Sequence, residues 1–127
     1  MPNADTMGNM IREQLAKFIS KNKQAIGIES FGTLGYLSCM KNCSMMLGNT
    51  SSGFVEASYF NKYVINLGDR QKGRIITDNI FNCEINEECI VAAVENYKNY
   101  IPGSEPGIYG DGNTARKIIE ILKNANA

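Results

Sequence analysis

A repeated change of period constrains this chain more than anything else in it. Short runs that are almost wholly apolar, Ser44–Leu47 (SMML) and Tyr63–Leu67 (YVINL), stand between segments whose apolar residues recur every three to four positions. A strand that is apolar on both faces is buried on both, and such strands belong to parallel sheets flanked by helices. The pattern predicts an α/β fold: a partial Rossmann-like parallel sheet with helices on both faces.

Along the chain, Met10, Ile11, Leu15, Phe18 and Ile19 predict a helix over 6–22, and residues 25–28 read as a strand ahead of Glu29-Ser30. Leu34, Leu37 and Met40 suggest a short helix from Gly32-Thr33. After the strand that ends at Gly48, Phe54, Val55, Ala57 and Phe60 predict a helix opening near Ser51-Ser52. Ile80-Phe81 is a brief extended piece. Asn86 is an N-cap candidate, with Glu87 and Glu88 in the first turn of a helix through Val91, Val94 and Tyr97. Beyond the 102–112 loop, Ala115, Ile118, Ile119 and Leu122 predict a last amphipathic helix, with Lys117 and Lys123 suiting the negative end of its dipole. A doubly wound domain usually opens on a strand and holds five or six. This chain opens on a helix and shows three strands and a fragment of a fourth. It reads as the later part of such a domain, a truncation. The open edges of so small a sheet imply self-association, which light scattering at high concentration would register.

Composition narrows the chemistry. Lysine plus arginine and aspartate plus glutamate number 13 each among 127 residues, so no basic surplus exists for a nucleic-acid partner. There is no histidine, which removes Ser-His-Asp and Cys-His nucleophilic sites and His-ligated zinc. Proton transfer by this chain would fall to Asp, Glu, Lys, Tyr or Cys. Cys39, Cys43, Cys83 and Cys89 lack the C-x2-C spacing of a zinc site. With Cys39, Cys83 and Cys89 in apolar segments, the four read as reduced, structural thiols. The polar start MPNADTMGNM is unlike a secretory signal, and no apolar run approaches the ~18 residues of a membrane span. The expectation is a cytoplasmic protein without metal, cofactor or membrane partner.

The stretch from Leu47 to Arg74, LGNTSSGFVEASYFNKYVINLGDRQKGR, carries the candidate chemistry. Asn49-Thr50-Ser51-Ser52-Gly53 puts hydroxyls and backbone N–H groups at a helix start beyond a parallel strand, where α/β sheets bind anions. Glu56, in the first turn, suits a ribose diol. Arg70, Lys72 and Arg74 set three cations within five positions, a supply of charge for a diphosphate. The same residues also fit plain N-caps, a capping box and a solvated loop. Neither GxGxxG nor G-x4-GK[ST] occurs.

GNTSSGFVEA (48–57) followed by YVINLGDRQKGR (63–74) resembles the C-terminal half of the hydrolysing UDP-N-acetylglucosamine 2-epimerase family, most closely its sialic-acid-pathway branch. Pro2-Asn3-Ala4-Asp5 is similar to the family's PN-x-D segment, and Tyr109-Gly110-Asp111-Gly112-Asn113 to its YGDG segment. The resemblance covers nearly the whole chain. It implies residues 1–127 as a C-terminal UDP-binding domain within a two-domain architecture of the glycosyltransferase-B type. It also implies that the catalytic carboxylates and histidine precede Asn3, so this chain holds no catalytic residue. The reaction implied is elimination of UDP to a glucal, then hydration to N-acetylmannosamine. By motif, Thr50 and Ser51 would bind the diphosphate with Ser52 in support, Glu56 the ribose hydroxyls, Arg70 would lie beside the phosphates, and Tyr36 near uracil. Asp111 would cap the last helix or order its loop. Alternatives are a stand-alone nucleotide-binding module, a glycosyltransferase piece of the same architecture, or a UDP-diacetamido-sugar 2-epimerase.

Overall fold

The computed structural model describes residues 8–103 and 108–125. The chain divides into two compact units, Met1–Ser38 and Cys39–Ala127. The PN-x-D segment lies outside the described residues.

In the first unit, α1 (Gly8–Lys21) carries Met10, Ile11, Leu15 and Phe18 along one stripe. Its end is closed locally: the Asn22 side-chain amide donates to Phe18 O (2.8 Å) and the Asn22 N–H to Ile19 O (3.2 Å). The strand expected at 25–28 is absent from the sheet, and Ile26 stands 81% exposed. An apolar run supplies only half of what a strand needs. The other half is a neighbouring backbone for its ladder, which four residues cannot announce. Helix α2 (Gly32–Asn42) begins where the sequence predicts and crosses from the first unit into the second.

The second unit is built on three strands, β1 (Met45–Gly48), β2 (Tyr63–Leu67) and β3 (Ile80–Cys83), in the order β1-β2-β3 and parallel throughout. Met45 stands opposite Tyr63, and Val64 opposite Ile80. The sheet therefore is the parallel one that SMML and YVINL imply, but only β2 is buried on both faces; β1 is half-buried and its Leu47 is exposed. Alternate residues of β2 serve opposite faces, as the strand period requires. Tyr63 and Ile65 join Cys83 and Ala93 in a core to which Tyr97 and Tyr100 add their rings. Ala93 belongs to α4 (Glu87–Asn96), which Asn86 caps by accepting the Cys89 N–H at 2.8 Å. The Tyr63 hydroxyl donates to Ala93 O at 3.2 Å, tying strand to helix. Burial lifts the Tyr100 hydroxyl pKa above its ordinary value, with Asp78 adding to the effect.

The other face of β2 meets the β1–β2 crossover. The helix expected from Ser51 to Phe60 is two shorter pieces: a 3-10 turn at Ser51–Gly53, and α3 (Glu56–Tyr59). The break follows from close packing. Gly53 is buried, and a Cβ placed on it would stand 2.9 Å from Val64 Cγ1. Gly53→Ala is expected to lower stability by ~1–3 kcal/mol, the usual cost of forcing a methyl into a packed core. Chemical denaturation would measure it, and an unchanged midpoint would show that Val64 yields freely.

Helix α5 (Thr114–Ala125) follows the 108–113 segment. Lys117 falls near its start rather than its end, so the expected dipole role at the C-terminus passes to Lys123 alone. The thiols also differ in part from expectation. All four are free; Cys83 is buried, but Cys39 is exposed and Cys89 half-buried. Cys39 misses the core because its neighbour Met40 is the residue of α2 that faces inward. Among the described residues no helix is long and apolar enough to cross a membrane.

Candidate functional site

Strand β1 delivers the chain to a turn of hydroxyls. Thr50 is the N-cap of the 3-10 turn, its Oγ1 accepting the Ser52 N–H at 3.4 Å and lying 3.2 Å from the Ser52 hydroxyl. The N–H groups of Gly53 and Phe54 bond back to Thr50 O and Ser51 O. The capping role of Thr50 is thus real, and it holds the hydroxyls of Thr50 and Ser52 together beyond the carboxyl end of the strand. Glu56 opens α3, half-buried. Its carboxylate bonds to no described residue, so no capping box consumes it.

Strand β2 delivers the chain to the 68–74 loop. Gly68 (φ +66°) and Gly73 (φ +90°) take left-handed backbone that other residues rarely adopt. Between them, the Lys72 N–H donates to Asp69 O at 2.9 Å. Arg70 lies on the exposed side of this loop.

One residue joins turn and loop. Gln71 is 9% exposed; its Nε2 donates to Asn49 O at 2.7 Å, and its Oε1 accepts from Arg74 Nε at 2.6 Å. A neutral amide amid three cations was the one signal in RQKGR that could have marked it. Sequence reasoning left it unremarked because its partner lies 22 positions away. Gln71 brings the hydroxyl turn and the cationic loop together. Tyr36 stands half-buried on the part of α2 within the first unit.

The YGDG segment is tied to the same crossover, since the Tyr59 hydroxyl donates to Gly110 O at 3.1 Å. Asp111 orders the loop: one carboxylate oxygen accepts the Asn113 N–H and the other pairs with Lys117 Nζ, each at 3.0 Å. The backbone N–H of Asn113, then the Lys117 ammonium, hold the carboxyl down at about 2. A carboxyl-detected NMR titration is expected to show this depressed midpoint, and Lys117→Ala to move it upward toward the ordinary aspartate value. A midpoint near 4 in the parent chain would remove the Asn113 and Lys117 contacts from the solution structure.

Behind the cationic loop lies a cavity of about 330 Å³, bounded by Phe54, Asn66, Ile76, Asn82 and the loop itself. Asn66, buried on β2, donates from Nδ2 to Asn82 Oδ1 at 2.8 Å. Its own Oδ1 has no hydrogen-bond partner among the described residues. The neighbouring Cys83 thiol is pushed up to about 11, first by burial and then by Cys89.

Comparison with known proteins gives a consistent picture. The profile of the family described as UDP-N-acetylglucosamine 2-epimerase matches residues 1–123. A UDP-N,N'-diacetylbacillosamine 2-epimerase (hydrolyzing) from Legionella pneumophila is 34% identical over 122 residues, covering 96% of this chain and 32% of the relative. A GDP/UDP-N,N'-diacetylbacillosamine 2-epimerase (hydrolyzing) from Campylobacter jejuni is 44% identical over 86 residues, 67% of this chain and 22% of the relative. The polysialic acid biosynthesis protein P7 of Escherichia coli is 26% identical over 132 residues, 98% and 34%. The chain spans between about a fifth and about a third of the length of these curated relatives.

Proposed function

The chain belongs to the UDP-N-acetylglucosamine 2-epimerase family, and from that premise we propose that it is the UDP-gripping part of a hydrolysing nucleotide-sugar 2-epimerase. The observation that supports this most is the junction made by Gln71, which holds the hydroxyl turn against the cationic loop. Thr50 and Ser51 receive the diphosphate, with Ser52 in support. Arg70 supplies charge beside it. The unengaged carboxylate of Glu56 accepts two hydrogen bonds from the ribose diol, a geometry that suits a carboxylate and would repel a phosphate.

In the reaction so read, loss of the carbon 2 proton and departure of UDP leave a glucal, to which water adds. The proton acceptor and the acid for the leaving group come from outside this chain. The Legionella and Campylobacter relatives, at 34% and 44% identity, bear names specifying diacetylated bacillosamine sugars, while the polysialic-acid relative stands at 26%. That favours a diacetamido sugar over N-acetylglucosamine as the substrate, and with it a pathway other than sialic acid synthesis. A cytoplasmic setting agrees with four free thiols. Calorimetric titration of the chain with UDP tests the reading; no heat of binding at millimolar UDP would overturn it.

A further inference from the structure

Two of the four thiols meet outside the residues given to ribose, diphosphate and uracil. Cys83 ends β3, is buried, and belongs to the core of the second unit. Cys89 is the third residue of α4, half-buried, and packs against that core. Asn86 Oδ1 holds the Cys89 N–H at 2.8 Å, so the turn that carries this thiol is fixed. A side-chain hydrogen bond joins the two thiols, and neither sulfur is in a disulfide. The other two cysteines are placed differently. The Cys43 N–H donates to Cys39 O at 2.8 Å, the bond of one helical turn. Side chains four apart on a helix keep their Cβ atoms ~5–6 Å apart, beyond the ~3.5–4.5 Å that a disulfide requires.

Position gives the Cys83–Cys89 pair a consequence. The Gly68 N–H, at the start of the cationic loop, donates to Cys83 O at 2.9 Å. Cys83 and Glu84 also border the cavity behind that loop. A covalent change at Cys83 therefore acts on the backbone that anchors the loop.

We propose that Cys83 and Cys89 form an oxidation site, a dithiol that a small-molecule disulfide closes into a protein disulfide, and that closure shifts the cationic loop through Cys83 O. Its effect on nucleotide binding rests on that loop being part of the diphosphate grip. Burial, then Cys89, pushes the Cys83 thiol up to about 11, so Cys89, the more exposed of the two, reacts first. Its thiolate attacks one sulfur of the reagent; the reagent S–S bond breaks, and the departing half takes up a proton as a thiol. Cys83 then loses its proton to water, its sulfur attacks Cys89 Sγ, and the second half of the reagent leaves as a thiol. Two electrons pass from the protein sulfurs to the reagent, whose two thiols carry the two protons. A disulfide sets its sulfurs ~2.05 Å apart with a torsion of ~90°. Two thiols in contact do not meet that geometry, so the end of β3 and the first turn of α4 must shift to reach it.

The test is incubation of the ¹⁵N-labelled 127-residue chain with glutathione disulfide. Peptide mapping is expected to find Cys83 linked to Cys89, and Cys39 not linked to Cys43. The amide signal of Gly68 should move on oxidation and return on adding dithiothreitol. The affinity for UDP should fall about threefold, as weakening one hydrogen bond would give, and recover with the reductant. Cys89→Ser should abolish the linkage and the Gly68 response, whereas Cys39→Ser with Cys43→Ser should keep both. No Cys83–Cys89 linkage, or a Cys39–Cys43 linkage in its place, overturns the site. A linkage that leaves the Gly68 signal, or the UDP affinity of a binding chain, unchanged overturns the effect on the loop. A reduced chain that binds no UDP overturns the diphosphate reading alone, since the linkage and the Gly68 signal are read without nucleotide.

Discussion

Incubated with UDP-N-acetylglucosamine or a diacetamido analogue, the purified 127-residue chain is expected to release no sugar above the uncatalysed rate. Elimination needs a base for the carbon 2 proton and an acid for UDP, each with a pKa near the working pH. The chain has no histidine, the side chain that ordinarily titrates there. The groups that the fold displaces most are all moved away from neutrality: Cys83 up to about 11, Tyr100 upward, Asp111 down to about 2. Of these, Asp111 is the carboxylate that invites a catalytic role, and it is held ionised by Asn113 and Lys117, unable to donate a proton near pH 7. General acid and base together contribute on the order of 10⁴-fold or more in enzymes that use them, so the expected deficit is large. Free N-acetylmannosamine appearing in a coupled assay in proportion to added chain would refute it.

Binding should behave differently from catalysis. Glu56→Ala and Arg70→Ala are each expected to weaken UDP binding by about ten- to a hundredfold, the range for hydrogen bonds to charged groups. Salt separates the two. Arg70 lies on an exposed loop, and its attraction for a diphosphate is screened over ~8 Å at physiological ionic strength, so its loss matters less in high salt. Glu56 acts on neutral hydroxyls at short range, so the effect of Glu56→Ala should be the same at either salt concentration. If both variants bind like the parent, the nucleotide sits elsewhere. If only the salt contrast fails, the two roles are assigned to the wrong parts of the ligand.

Much of this architecture is legible in the chain, and the reason is local. YVINL and SMML are apolar on both faces, which points to parallel strands, and both pair so, though only YVINL is covered on both sides. Asn86 followed by two glutamates announces a helix start from three consecutive side chains. The resemblance to nucleotide-sugar epimerases likewise rests on contiguous motifs, and the family profile spans the same residues. Where local pattern misleads, the missing term is a neighbour. Residues 25–28 have a strand's composition but are not among the strands of the sheet. The 51–60 segment has a helix's period, but Gly53 lies against Val64 and the helix breaks into two short pieces.

The sequence by itself determined the periods, the caps and the order of the motifs, because each is set by side chains within a few positions of one another. Tertiary structure alone decided who stands opposite whom. Gln71 reads as one polar residue in a charged loop until its amide is found on Asn49 O, and Asn66 as one flaw in an apolar strand until its acceptor is found buried without a donor. Both are matters of distance across the fold, and hydrogen bonds form between atoms close in space irrespective of their separation along the chain.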